Sequence, residues 1–237
     1  MKNILVFASG TPVDGGVLFE SVANAVSENV IKDARMTAVV SNFPHGGIFH
    51  KAVKNSVKFH HFKGPNDIGH YQEIYQEYEP DLIVLAGWRL KIYGHDFTKT
   101  ISTIPALLPW FGGPGMYGNV VHQKVCQTLL KTREKSGYTG LTIHFVDDEY
   151  CHGPVIMQIP VLISSLDTAD TISLKVKVQE QFYLPLIISA IFRNEVHWSG
   201  SSSDSVVLPE MIASINQNTS LIVRPIYDPI FSSSARS

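Results

Sequence analysis

Two hydrophobic rhythms alternate along the first half of the chain. Ile4-Leu5-Val6-Phe7 is continuously apolar, the pattern of a strand buried on both faces of a parallel sheet. A glycine-containing loop from Gly10 to Gly16 follows, after which Leu18, Val22, Ala25 and Val26 recur at helical spacing. The chain therefore opens as strand, glycine loop, helix. Met36 to Ser41 predicts a second strand and Ser56 to Phe59 a weaker third. Tyr71, Ile74, Tyr75 and Tyr78 stand at i, i+3, i+4 and i+7 and predict one apolar helix stripe. Pro80 stops that helix, and Asp81 to Ala86 is the clearest buried strand in the sequence. Strands alternating with helices predict an α/β domain built on a mainly parallel sheet.

Proline and glycine punctuate the middle: Pro105, Pro109, Gly112, Gly113, Pro114, Gly115 and Gly118 fall within fourteen residues. Val121, Val125, Thr128 and Leu129 then restore a helical period. Leu141 to Val146 alternates as a strand, and Val155 to Val161 predicts another. A long helix is expected from about Thr168 to Arg193, with Ile172, Val176, Tyr183, Leu186, Ile187 and Ala190 on its inner face. Composition changes after Trp198, and Ser201-Ser202-Ser203 reads as a turn. Residues 210–237 read as a tail ending in a polar SSSARS, which divides the chain into a domain over 1–209 and a tail of unknown role. No internal repeat is visible.

Composition narrows the function classes. With 237 residues, 44% apolar and 17% charged, the chain can bury a sizeable core. Nineteen Lys and Arg against 21 Asp and Glu give a net charge of −2, which argues against a nucleic-acid binder working through a basic face. Cys126 and Cys151 are too few for a disulfide scaffold, and no CxxC pair suggests a metal. The apolar run after Met1 is shorter than a signal peptide needs, and no stretch approaches the ~20 apolar residues that span a bilayer. The expectation is a cytoplasmic protein with no membrane, nucleic-acid or metal partner.

Three places invite chemistry. The loop Gly10 to Gly16, between a strand and a helix N-terminus, has the geometry to cradle an anion, although its spacing fits neither GxGxxG nor the P-loop; a plain βα turn is the competing reading. Histidines such as His45, His50, His60, His61 and His70 are irregularly spaced and read as surface or loop residues. In the strand Leu141 to Val146, Thr142 and His144 share one face and lead into an acidic, glycine-ended loop, Asp147 to Pro154, which suggests a lined cleft. Cys151 paired with His144 or His152 is one reading of that loop. A small loop residue beside a solvent-facing histidine is the other.

Taken together, DLIVLAGW (Asp81–Trp88), PALLPWFGGPGMYG (Pro105–Gly118), VHQKV (Val121–Val125), GLTIHFVDDEY (Gly140–Tyr150), GPVIMQIPV (Gly153–Val161), DTADTISLKVKVQE (Asp167–Glu180) and Leu184-Pro185 resemble the folate-dependent formyltransferases, most of all their glycinamide ribonucleotide branch. The resemblance covers roughly residues 1–209. It implies a Rossmann-like formyltransferase fold, mainly parallel with an antiparallel C-terminal part and a cleft across the sheet. It also implies 10-formyltetrahydrofolate as co-substrate, a small amine acceptor, a role in purine biosynthesis, no metal, and room for a homodimer. In that family an acceptor amine attacks the formyl carbon. An Asn amide and a protonated His donate to the developing oxyanion, while an Asp raises the His pKa and helps relay protons.

Carried over by position, the family's N-x-H-P-x-L-L-P stretch ends on Leu107-Leu108-Pro109 and keeps Pro105, but its Asn falls on Ser102 and its His on Ile104. With His144 aligned to the strand histidine, the Asp falls on Cys151. The resemblance implies folate contacts at Trp88, Leu90, Ile92, Gly140, Thr142, His144 and Asp147, and acceptor contacts at Gly10, Gly15, Gly16, Lys177 and Glu180. Asp14 brings a carboxylate into the loop that faces an anion in the family. Three expectations follow: a folate-binding member that is catalytically weak or inactive, a transferase for another amine acceptor with a rewired site around Cys151, His144 or His152, and a non-enzymatic interaction protein that reuses the fold.

Overall fold

The computed structural model describes residues 1–12, 15–132 and 135–232. Seven strands form one sheet in the order β3-β2-β1-β4-β5-β6-β7. They are β1 (Lys2–Phe7), β2 (Ala34–Ser41), β3 (Phe59–His61), β4 (Leu82–Leu85), β5 (Thr100–Ile104), β6 (Ser136–Phe145) and β7 (Val155–Ser164). Pairing is parallel from β3 through β5 and antiparallel at β5–β6 and β6–β7. This is the expected Rossmann-like α/β sheet with an antiparallel C-terminal part.

Among the described residues six α-helices accompany the sheet: α1 (Val17–Ser27), α2 (Gly47–Lys54), α3 (Ile68–Tyr78), α4 (Asn119–Thr132), α5 (Ala169–Phe192) and α6 (Glu210–Ser232). Alternation along β1 explains the two layers. Ile4 and Val6 pack with Phe19 and Val22 of α1 and Leu184 and Ile188 of α5, whereas Leu5 and Phe7 pack with Tyr71, Ile74 and Tyr78 of α3. A third cluster joins Val121, Val125 and Leu129 of α4 to Ile172 and Val176 of α5. Thr168 caps α5 by accepting from Thr171 N–H, and the Thr171 hydroxyl bonds back to Thr168.

Several expectations are corrected. The third strand begins at Phe59, because Ser56 sits at φ 53° beyond the end of α2. Helix α2 itself was hidden by Gly46-Gly47; it buries Ile48 and Ala52 and clamps α1 through Lys51 and Lys54, which reach Glu20 at 2.6 and 2.8 Å. Strand β5 was missed because Thr100, Ser102 and Thr103 look like loop chemistry, yet all three are buried. On α5, Leu186 is 42% exposed, and Leu184, Pro185, Ile187 and Ile188 turn inward instead. Residues 210–232 of the expected tail are helical, while 233–237 lie outside the described residues.

Candidate functional site

Strands β1, β4 and β5 run parallel, so their C-terminal ends open on one edge of the sheet, where ligands of open α/β sheets bind. A cleft of about 520 Å³ lies there. Its lining brings together Gly10, Gly15 and Gly16; Trp88, Leu90 and Ile92; Ser102 and Ile104; His144, Asp147 and Cys151; and Lys177 and Glu180 of α5. Gly140 and Thr142, expected as folate contacts, do not line the cleft. Thr142 is fully buried and bonds to the loop after β5, and a Cβ on Gly140 would strike Ile159 O and Leu107.

At the glycine end, Gly10, Gly15 and Gly16 all have left-handed φ values, 62°, 118° and 78°. A Cβ on Gly15 would come within 2.6 Å of Gly10 Cα, so the loop closes on itself only with glycine there. Gly16 gives α1 no side-chain cap, which leaves the first helical amides for a ligand. Asp14, the carboxylate expected in this loop, lies outside the described residues.

The wall after β4 is held by hydrogen bonds and ring contacts. Trp88 Nε1 donates to the Tyr71 hydroxyl at 3.0 Å, and that hydroxyl lies 3.0 Å from both Asn66 Oδ1 and Lys91 O. The Trp88 ring meets Phe7 and Phe62 edge-on at 5.3 and 5.4 Å. Arg89 N–H donates to Ser9 Oγ at 3.0 Å, while its guanidinium lies 5.3 Å from the Tyr117 ring centroid. Arg89 and Tyr117 were not anticipated from sequence.

The wall formed by β5, β6 and their helices is different. Ser102 lies opposite His144 in register, and both line the cleft. His144 is 2% exposed rather than solvent-facing. Its Nδ1 lies 2.6 Å from Phe145 O and therefore carries the proton, which leaves Nε2 a lone pair without a partner. Burial holds the imidazole below its usual pKa. His122 of α4 is pushed down to about 4 by burial and by Lys177, and its Nδ1 is also without a partner. Burial raises Glu180 to about 7 against the pull of nearby Thr103 and Lys177; the Thr103 hydroxyl stops short of hydrogen-bond geometry. His122 stood within the quoted VHQKV stretch, and a histidine beside Val121 and Val125 on a buried helix was the available signal.

Cys151 enters the cleft at φ 57°, with its thiol raised by burial and only partly offset by the Gly113 amide. The structure does not pair it with His144, whose Nε2 is bare. His152 is exposed, with its Nδ1 2.7 Å from Asp147, which raises its pKa. Among the described residues, no cluster of three or more His, Cys, Asp or Glu could hold a metal, and no helix is long and apolar enough to cross a membrane.

A parallel sheet that turns antiparallel at β6 is a fold shared with known proteins. The family described as "Formyl transferase" matches residues 2–188, and the chain belongs to it. It is 30% identical over 220 residues to the phosphoribosylglycinamide formyltransferase of Escherichia coli, covering 87% of this chain and 96% of that relative. It is 29% identical over 209 residues to the chloroplastic phosphoribosylglycinamide formyltransferase of Arabidopsis thaliana, covering 83% of this chain and 68% of that one. The crystal structure of glycinamide ribonucleotide transformylase 1 from Symbiobacterium toebii shares the fold with a TM-score of 0.72, at 23% identity over 88% of this chain and 95% of that one.

Proposed function

We propose that the cleft binds a reduced folate along the wall after β4 and a small amine acceptor, such as glycinamide ribonucleotide, at the glycine end, and that formyl transfer between them is weak or absent. The bound folate would supply an activated formyl group. The fit rests on a cleft whose Trp88, Leu90 and Ile92 side offers apolar surface and main-chain groups, and whose other wall leaves His144 Nε2 and the Thr103 hydroxyl bare for a polar ligand.

The catalytic half of the reading rests on the side chains at the positions aligned with the family's three catalytic residues. We assign Ser102, Ile104 and Cys151 to the family's Asn, His and Asp positions. Ile104 has no proton to give, and Cys151 keeps its own because burial raises its pKa. His144 cannot stand in, since its only N–H points at Phe145 O and its bare Nε2 would face an oxyanion with a lone pair. Ser102 is left as a single neutral donor. Loss of one oxyanion donor costs ~10²–10³-fold and loss of acid–base help ~10²–10⁴-fold, although losses within one catalytic unit do not simply add.

Titration with 5-formyltetrahydrofolate, read by Trp88 fluorescence with a Trp88→Phe control, should show binding. A folate-absorbance assay with glycinamide ribonucleotide as acceptor should then show less than about a thousandth of the rate of a relative that keeps all three residues. A rate within tenfold would sink the weak-catalyst reading and favour a rewired transferase. No folate binding at millimolar concentration would sink the binding half and favour the interaction protein.

A further inference from the structure

The family match ends at residue 188, yet α6 is tied to the sheet by side-chain hydrogen bonds. β7 is an edge strand, and such an edge presents unpaired N–H and C=O groups. There Asn216 Oδ1 accepts from Gln158 N–H at 2.8 Å, and Asn216 Nδ2 donates to Ile156 O at 2.9 Å. The Thr219 hydroxyl lies 3.0 Å from Gln158 O, one helical turn on. Asn216 thus does for β7 what a neighbouring strand would do. Ile212 and Val223, 4% and 0% exposed, root the helix in two core clusters.

Gln158 carries the contact inward. Its Nε2 donates to Leu108 O at 2.8 Å and to the Thr142 hydroxyl at 3.1 Å. Thr142 Oγ1 in turn donates to Ala106 O at 2.7 Å and accepts from Leu108 N–H at 3.1 Å. The loop so held starts at Pro105, beside Ile104 in the cleft wall. At its other end Leu108 packs against Gly112, where an added Cβ would strike Leu108 and come 3.1 Å from Cys151 Cβ. One continuous set of contacts therefore runs from α6 to both Ile104 and Cys151.

We propose that α6 is a strap that positions this cleft wall from outside the family's domain, with Asn216 as the positioning residue acting through Gln158 on the 106–109 loop. The inference rests on the geometry of the wall and not on what the cleft binds, so its failure and that of the proposed function are separable.

Residue-resolved amide exchange on the full chain tests it. Asn216→Ala should speed exchange at Leu108 about tenfold, the scale of one buried hydrogen bond, while Val6 and Leu82 stay as in wild type. Gln158→Leu should do at least as much, and the double variant should add nothing further at Leu108, the non-additivity of one connected network. Should Asn216→Ala loosen the whole sheet, Asn216→Asp keeps the acceptor for Gln158 N–H and should give a smaller rise confined to Gln158, Leu108 and their neighbours. The proposal is overturned if Asn216→Ala deprotects Gln158 but leaves Leu108 within twofold. Additive effects in the double variant, or a uniform rise in Asn216→Asp, would overturn it equally.

Discussion

The two walls of the cleft are built to different standards. After β4, Trp88 is anchored at its indole N–H, enclosed by Phe7 and Phe62, and backed by a tyrosine whose hydroxyl is itself engaged. Across the cleft, Thr103 Oγ1, His122 Nδ1 and His144 Nε2 are buried without partners, and Glu180 is buried with its pKa raised to about 7. Buried polar groups are nearly always paired, so three bare atoms on one wall leave hydrogen-bonding capacity that water or a ligand can fill. The wall after β4 is held by its own internal contacts. The bare wall lacks that closure, and it is the wall that carries Ser102, Ile104 and Cys151. Ground-state binding and transition-state stabilisation draw on different groups, so one wall can be retained while the other changes.

The largest way to break this contrast is to remove the burial cost of Glu180. Its carboxyl releases a proton near pH 4.5 when unfolded and at about 7 when folded. As pH rises through that window the unfolded chain loses the proton first, so folding stability falls; above about pH 7 the loss is constant at about 3 kcal/mol. Glu180→Gln should therefore be more stable than wild type by about that much near pH 8 and equal to it near pH 4. Urea denaturation at both pH values checks this. An equal offset at the two would show that Glu180 is not carrying a buried charge.

The same contrast explains what was legible in the sequence. The partnered wall belongs to elements with a clear period: β1 and β4 are unbroken apolar runs, and α3 repeats Tyr71, Ile74 and Tyr78. The bare wall hangs on β5, a buried strand written as Thr-Ile-Ser-Thr-Ile, and on His122, whose burial depends on α4 packing against α5. Neither follows from local pattern, because tertiary contacts alone make those polar residues internal. Ser102, Ile104, His144 and Cys151 could be aligned by motif, but motif could not show that His144 spends its proton on Phe145 O. Thr142 and Gly140 lie behind the cleft lining, since alternation gives a face and not a depth. The helix at 210–232 was obscured by the polar end of the chain and by its position beyond the stretches that resemble the family.

A somewhat smaller effect sharpens the contrast from the chemical side. Ser102→Asn, Ile104→His and Cys151→Asp together should raise formyl transfer at least ~10²-fold, the value of one oxyanion donor, without tightening folate binding by more than a few-fold. The folate-absorbance assay and the Trp88 titration read the two quantities separately. Tighter folate binding with no gain in rate would mean that the bare wall recognises the ligand and that these three positions do not limit formyl transfer.

The smallest expected effect concerns a side-chain contact that joins the wall after β4 to the loop between β5 and α4. Arg89 lies over the Tyr117 ring at 5.3 Å, and Tyr117 is 45% exposed on a segment bounded by Gly115 and Gly118, both at left-handed φ. A partly exposed cation–π contact is worth about 0.5–1 kcal/mol, so Tyr117→Ala should change folate affinity by no more than about fivefold in either direction. Tyr117→Phe keeps a ring face for the guanidinium and should stay within about twofold of wild type, whereas Tyr117→Leu should behave as the alanine variant. If Tyr117→Ala weakens binding by more than tenfold, the two walls act as one unit through this contact. The partnered wall would then owe part of its affinity to the loop facing it, and the independence argued for the two sides would fail at Arg89.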